Sequence, residues 1–373
     1  MNFAFSEEQE ELRRLARKWL SDRSPSAVVR SLMETESGYD QAMWSEMAQM
    51  GWQGMAIPEE YGGAGFGQLE LAVLFEEMGR SLLPAPFFST VALGAAAILE
   101  AGSEQQKHDL LGRVAAADIT IALASTEPNG RWDESGVEAV AEPSGGGWSI
   151  NGVKSFVIDG HTADFLVVAA RTSEGVSLFL VEGEVEGMNR RRLETMDMTR
   201  KQAELTLTDV KVADDRLIGS PGAGWAVVER VLEKAIVNLA AEQVGGAQMC
   251  LEMSVDYAKT RHQFGRPIGS FQAIKHKCAD MLVQVESAKS ACYYAAWAAS
   301  EDNDELSLVA PMAKSYCSEA FFHCASENIQ IHGGIGFTWE HDAHLYFKRA
   351  KSSELLFGDP AYHRARLADR LGL

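Results

Sequence analysis

The 373-residue sequence predicts an α+β protein in three consecutive regions: N-terminal helices, a central antiparallel β-barrel or sandwich, and a C-terminal bundle of long helices. Two changes of hydrophobic period carry that expectation. Near residue 119 a helical period gives way to short strand-like runs, and after Pro221-Gly222-Ala223-Gly224 the helical period returns. The length of the last helical stretches is the third observation, since their apolar stripes imply an antiparallel bundle extended by other subunits. Domains at residues 1–118, 119–220 and 221–373 follow.

Ser6 followed by Gln9 reads as a capping box, and Leu12, Leu15, Trp19 and Leu20 recur behind it at helical spacing. A Gly/Pro-rich break at residues 58–65 separates that helix from another over 69–80, and 91–101 and 104–117 read as further short helices. Strand-like runs fall at 119–124, 148–150, 165–170, 176–181 and 203–207, with Gly145-Gly146-Gly147 and Asn151-Gly152 as turn residues between them. No helical crossovers of the length that parallel strands need intervene, so the strands are expected to pair antiparallel. Residues 225–259, 272–300 and 309–331 then read as three long helices.

Composition narrows the function. Hydrophobic residues at 46% and charged ones at 23% are ordinary for a globular chain and exclude wholesale disorder. A formal net charge of −19 argues against nucleic acid and against an anionic membrane surface. Cys250, Cys278, Cys292, Cys317 and Cys324 all lie in apolar helical sequence, form no CxxC pair and are odd in number. They read as buried free thiols rather than a disulfide framework or a metal site. The stretch Met1-Asn2-Phe3-Ala4-Phe5-Ser6-Glu7-Glu8 lacks the basic and apolar segments of a secretory leader, and no apolar run spans a bilayer. A soluble cytoplasmic protein is the expectation. Gly63-Ala64-Gly65-Phe66-Gly67 lacks dinucleotide-fingerprint spacing, and Walker, HExxH and GxSxG patterns are missing.

The informative motifs come late in the chain. Gln330-Ile331-His332-Gly333-Gly334-Ile335-Gly336-Phe337 places a glutamine and two glycines between apolar helical segments, leaving bare backbone for a ligand to approach. Upstream stand Arg261-His262-Gln263-Phe264-Gly265-Arg266-Pro267 and Gln272; earlier still come Pro58-Glu59-Glu60-Tyr61-Gly62-Gly63, Ser125-Thr126-Glu127-Pro128 and Asn151-Gly152-Val153-Lys154-Ser155-Phe156-Val157-Ile158. In that order, over essentially the whole chain, they resemble the acyl-CoA dehydrogenase family.

That resemblance implies tightly bound FAD and α,β-dehydrogenation of an acyl-CoA, with electrons leaving to an electron-transfer flavoprotein. Arg261 is suited to the flavin pyrophosphate, because its planar fork pairs with two oxygens at once. Phe264 and Gln272 would hold the adenine-ribose side. Thr126 lies in the first flavin- and substrate-contacting loop, and Phe156 and Ile158 in the segment covering the flavin ring. Gln330, Gly333 and Gly334 would reach the flavin of a neighbouring subunit, in a homodimer, a homotetramer or a heterotetramer with a related chain. CoA is polyanionic, so an acidic protein needs local basic residues to receive it. Phe156 stands where the family usually has tryptophan and Ile158 where it has threonine, and Asn129-Gly130-Arg131-Trp132-Asp133 replaces the usual small-residue loop. Those departures point away from a common straight-chain substrate.

Dehydrogenation also needs a carboxylate in contact with the substrate α-carbon, in a dry site. Counted without gaps from Gln330, the family's usual base position is Phe357, followed by Gly358 and Asp359; the alternative position on the long helix is Ala235. Neither is a carboxylate. Glu242 lies two turns beyond Ala235 on the same face, roughly 10 Å along, among Leu239, Ala240, Ala241, Val244, Gly245 and Gly246. It is the first candidate base; the competing reading is a buried structural ion pair with an arginine or lysine. Asp359 is the second candidate, with a shorter side chain and Pro360 behind it, while Glu354 points along a different helix face. Three readings stay open: an active dehydrogenase with a relocated base, the base-less partner in a heteromer acting on a bulky acyl-CoA such as a sterol side chain, or a flavin oxidase or monooxygenase on the same fold.

Overall fold

Ser6 Oγ accepts from the Gln9 amide at 3.2 Å and Gln9 Oε1 accepts from the Ser6 amide at 2.9 Å, so a capping box starts helix α1 (Glu7–Arg23). The computed structural model describes residues 5–373; the Met1–Ala4 part of the leader question lies outside them. On α1, Ala16 and Leu20 are buried whereas Leu15 is 55% exposed, so the apolar stripe is narrower than its spacing implied. Next come α2 (Ser26–Met33), α3 (Gln41–Gln49) and α4 (Gln68–Ser81), then α5 (Ala96–Ala101) and α6 (Glu104–Ala115). The stretch expected as one helix over 91–101 begins as a π-helix, Phe88–Ala95. A Cβ on Gly94 would lie 2.4 Å from the Ile121 carbonyl oxygen, so glycine admits the neighbouring strand where the coil widens.

The β region comprises β1 (Ile121–Ala124), β2 (Val140–Pro143), β3 (Gly147–Ile158), β4 (Phe165–Thr172), β5 (Gly175–Glu182), β6 (Met188–Arg192), β7 (Gln202–Ala213) and β8 (Leu217–Ile218). They form one sheet in the order β6-β7-β3-β2-β4-β5-β8, with β1 pairing on β4. Most pairings are antiparallel, as expected, but β1 and β2 each meet β4 in parallel. Asn151-Gly152 is not a turn. It lies inside β3 at a shift of register against β7, where a Cβ on Gly152 would come within 2.5 Å of the Ala139 Cβ. Close backbone approach, not chain reversal, explains that glycine. Inward residues such as Ile150, Val168, Phe179, Leu205 and Val210 fill the core of this module.

The helical period resumes in α7 (Gly224–Thr260), a short hairpin of β9 (His262–Gln263) and β10 (Arg266–Pro267), α8 (Gln272–Ser300), α9 (Leu306–His332), α10 (Ala343–Leu355) and α11 (Pro360–Leu371). Compactness divides the chain in two. One unit unites the N-terminal segment through Ser31 with Gln68–Leu83 and Ile236–Leu373; the other holds Leu32–Gly67 and Pro84–Ala235.

In the first unit α1 and α8 pack on α4, and α8, α10 and α11 pack on α9. The α4–α7 crossing is tight: a Cβ on Gly79 would stand 2.0 Å from the Glu242 carbonyl oxygen, and one on Gly245 would stand 1.8 Å from that of Glu76. Two glycines let the backbones touch. Cys250, Cys292, Cys317 and Cys324 are buried free thiols, and Cys278 is partly exposed. Among the described residues no helix is long and apolar enough to cross a membrane.

Candidate functional site

Strand β3 and the loop after β1 carry one group of candidate residues. Lys154 pairs with Leu205 and Val157 with Ala203, so Ser155 and Phe156 oppose Glu204 alone, a two-against-one bulge. Phe156 has φ 59° and is 44% exposed, between buried Ser155 and Val157. The bulge thus throws an aromatic ring out of the sheet. The Ser155 amide donates to the Thr126 carbonyl at 3.0 Å, which brings Thr126 beside Phe156. Ile158 is buried, in register with Gln202, and offers no hydroxyl.

Beneath this edge lies an ion pair that the motif reading passed over. Lys154 Nζ meets Glu127 Oε1 at 2.5 Å with both side chains buried, and the same carboxylate accepts the amides of Glu138 and Ala139 at 2.9 Å each. Burial pulls the Lys154 ammonium below its ordinary value, and the Glu127 charge opposes that. Both residues were legible only as members of motifs; nothing in their spacing announced a pair.

The other unit holds the remaining candidates. Arg261 directly follows α7, with an exposed side chain engaged in no ion pair among the described residues. Phe264, at the tip of the β9–β10 hairpin, has φ 55° and is 93% exposed, and Gln272 is exposed at the first residue of α8. Gln330 is exposed in the last turn of α9, and Gly333 ends that helix with φ 64°. Nothing lies within 4 Å of where a Cβ would stand on Gly333 or Gly334. A free guanidinium, an uncovered aromatic ring, two amides and bare glycine backbone suit a dinucleotide such as FAD: a fork for its pyrophosphate, a stacking face and polar edges.

The base candidates read differently. Phe357 is buried with φ 60°, and Gly358 follows with φ 103°; Ala235 is fully buried. Glu242 is buried and paired with Arg349, whose Nη1 reaches Oε1 at 2.7 Å. Asp359 caps α11, its Oδ1 accepting the Tyr362 amide at 2.8 Å, and Glu354 pairs with Lys351 at 2.9 Å. Every carboxylate considered for proton abstraction is therefore engaged. Between the two roles open to Glu242, this geometry supports the structural one.

Two more buried carboxylates belong to α4. Glu76 meets Arg13 at 3.3 Å and accepts from the Tyr293 hydroxyl at 2.8 Å; Glu77 pairs with Arg17 at 2.7 Å. Burial raises the Glu76 carboxyl against the pull of Arg13 and Tyr293. Their sequence signal was available: adjacent glutamates in the apolar run Leu71-Ala72-Val73-Leu74-Phe75-Glu76-Glu77-Met78, with arginines four apart on α1. Lys314 gave no such signal. Its Nζ is buried and donates to Ser318 Oγ and to the carbonyls of Ser353 and Glu354 at 2.9–3.1 Å, gripping the end of α10 just before Phe357.

Comparison with known proteins completes the picture. Family models for the N-terminal, middle and C-terminal domains of acyl-CoA dehydrogenases match residues 6–118, 122–210 and 222–372. Acyl-CoA dehydrogenase IpdE2 of Mycolicibacterium smegmatis is 35% identical over 365 residues, covering 97% of this chain and 98% of that protein. Butyryl-CoA dehydrogenase from Megasphaera elsdenii superposes with a TM-score of 0.93 at 28% identity, covering 100% of both chains. A chain of the ChsE4-ChsE5 complex from Mycobacterium tuberculosis gives a TM-score of 0.92 at 28% identity, covering 100% of this chain and 99% of that one.

Proposed function

The chain belongs to the acyl-CoA dehydrogenase family, and we propose from that premise that it serves FAD-dependent α,β-dehydrogenation of an acyl-CoA as the half of a heteromeric assembly that carries no base of its own. FAD, the family's cofactor, supplies the hydride acceptor when bound. The observation that carries the heteromeric reading is the engagement of each candidate carboxylate: Phe357 fills one family position, Ala235 the other, and Glu242 is tied to Arg349. Proton abstraction then falls to a glutamate on a related chain. Relatives support this reading, since ChsE4 and ChsE5 were solved as a complex of two differently named chains.

In this reading Arg261 receives the pyrophosphate, Phe264 and Gln272 line the adenosine side, and Thr126 and Phe156 face the ring, with Ile158 buried in the strand that carries Phe156. Gln330, Gly333 and Gly334 complete the site of a neighbouring subunit. The electron acceptor is an electron-transfer flavoprotein. The atypical Asn129–Asp133 loop favours a bulky acyl group over a straight chain.

The test compares the purified chain alone with the chain co-expressed with a related subunit. Flavin absorbance that bleaches on anaerobic acyl-CoA addition only in the mixture is the expected result. Bleaching by the isolated chain, lost in Glu242→Gln, returns the base to Glu242 and overturns the partner-subunit reading. Rapid reoxidation by air instead identifies an oxidase.

A further inference from the structure

Phe156 holds a conformation that a bulky aromatic residue does not choose. With φ 59° it lies in the left-handed region, where its Cβ crowds the backbone. Such strain persists only where the surroundings over-determine it. On the C-terminal side, Val157 and Ile158 are buried and in register with Ala203 and Gln202. On the N-terminal side, Lys154 is buried on Glu127, the Ser155 amide is bonded to the Thr126 carbonyl, and Ser155 Oγ reaches Glu204 Oε2 at 3.4 Å.

Glu127 has a second task. Because its carboxylate accepts the amides of Glu138 and Ala139, it ties the two ends of the 128–137 segment together. Gly152 of β3 lies close against Ala139, so the tie rests on the same strand that bears the bulge. One carboxylate with three donors thus fixes both the exposed ring and the base of the atypical loop.

We infer that the Glu127–Lys154 ion pair is the positioning device of the cofactor-facing edge, holding Phe156 in its strained, outward pose and closing the loop that meets the acyl group. The inference rests on the flavin-binding reading above. Neither residue touches the reaction; both act through Phe156 and the loop. Without the clamp the bulge relaxes, and FAD binding must restore the strained pose at its own expense.

Two clamp variants test this, Lys154→Met and Glu127→Gln, so that poor folding of one leaves the other. Hydrogen exchange at the amides of Ser155, Glu138 and Ala139 reads the clamp without any flavin, and both variants should accelerate it. FAD affinity, read by flavin fluorescence quenching, should weaken about tenfold, as loss of a prepaid strain of this kind implies. In a Phe156→Gly background, where glycine adopts positive φ freely, Lys154→Met should cause no further loss of affinity. A merely structural pair would weaken binding equally in both backgrounds. Unchanged exchange at these amides, or FAD affinity within about twofold of wild type, overturns the assignment. A wild-type chain that takes up no FAD, with its partner present, defeats the flavin reading and the Phe156 assignment together; the exchange data still judge the loop closure.

Discussion

Arg349 on α10 donates to Glu242 on α7 across 2.7 Å, and both side chains are almost wholly buried. A guanidinium never gives up its proton, so the carboxylate has a permanent counter-charge. Removing one partner leaves the other charged and buried. Arg349→Met should therefore lose about 3–5 kcal/mol of stability in urea unfolding, and adding Glu242→Leu should recover much of it. A loss below about 1 kcal/mol, the range of an exposed pair, would contradict the structural role.

Phe357, the position that the family resemblance assigns to the usual glutamate, has φ 60° in a buried turn gripped through Lys314. Phe357→Glu should give the isolated, FAD-loaded chain an ability to bleach with acyl-CoA that the wild type lacks. A positioned general base contributes about 10²–10⁴-fold, so the gain should stand out in anaerobic stopped-flow traces. A variant that folds, binds FAD and still does not bleach shows that the turn does not present this position to substrate.

Burial brings the Lys314 ammonium from its ordinary 10.5 down to about 7, with the Glu354 charge opposing. The unfolded chain keeps that proton up to about 10.5, whereas the folded chain releases it near 7. The contribution to stability is thus complete above 10.5 and is lost as pH falls through 7. Relative to Lys314→Met, which cannot titrate there, the wild type should gain stability between pH 7 and pH 10. Urea midpoints of both proteins at the two ends of that window decide it; a constant gap refutes it.

At the α4–α7 crossing, Gly245→Ala drives a methyl group to within 1.8 Å of the Glu76 carbonyl oxygen. Backbone cannot rotate away as a side chain can, so overpacking should destabilise by at least about 1–3 kcal/mol. Thermal unfolding measures it, with Gly334→Ala, which meets nothing within 4 Å, as the companion that should barely shift the midpoint.

The sequence made the larger outline legible because period changes are local signals. The 272–300 expectation coincides with α8, and the expected long helix over 225–259 is α7 within a residue at each end. Other features depend on contacts that spacing does not encode. Gly152 looked like a turn because Asn-Gly favours one, yet Ala139 supplied the real reason. The β2 and β6 strands went unread, being four and five residues long and rich in charge or small side chains. Of the candidate residues, exposed Arg261, Phe264 and Gln272 came from motif order, whereas the partners of Glu242, Lys154 and Lys314 lie 107, 27 and about 40 positions away. Pairing across such distances is decided by the fold.

The touching backbones of α4 and α7 also bear on synthesis. The unit that contains them joins the N-terminal segment up to Ser31 and Gln68–Leu83 to everything from Ile236 to Leu373. A ribosome delivers the first and last of those pieces with more than 200 residues between them. Helices α1 and α4 must wait, with apolar faces uncovered, until residues 236–373 emerge, so this unit closes its core only after that later stretch has been made.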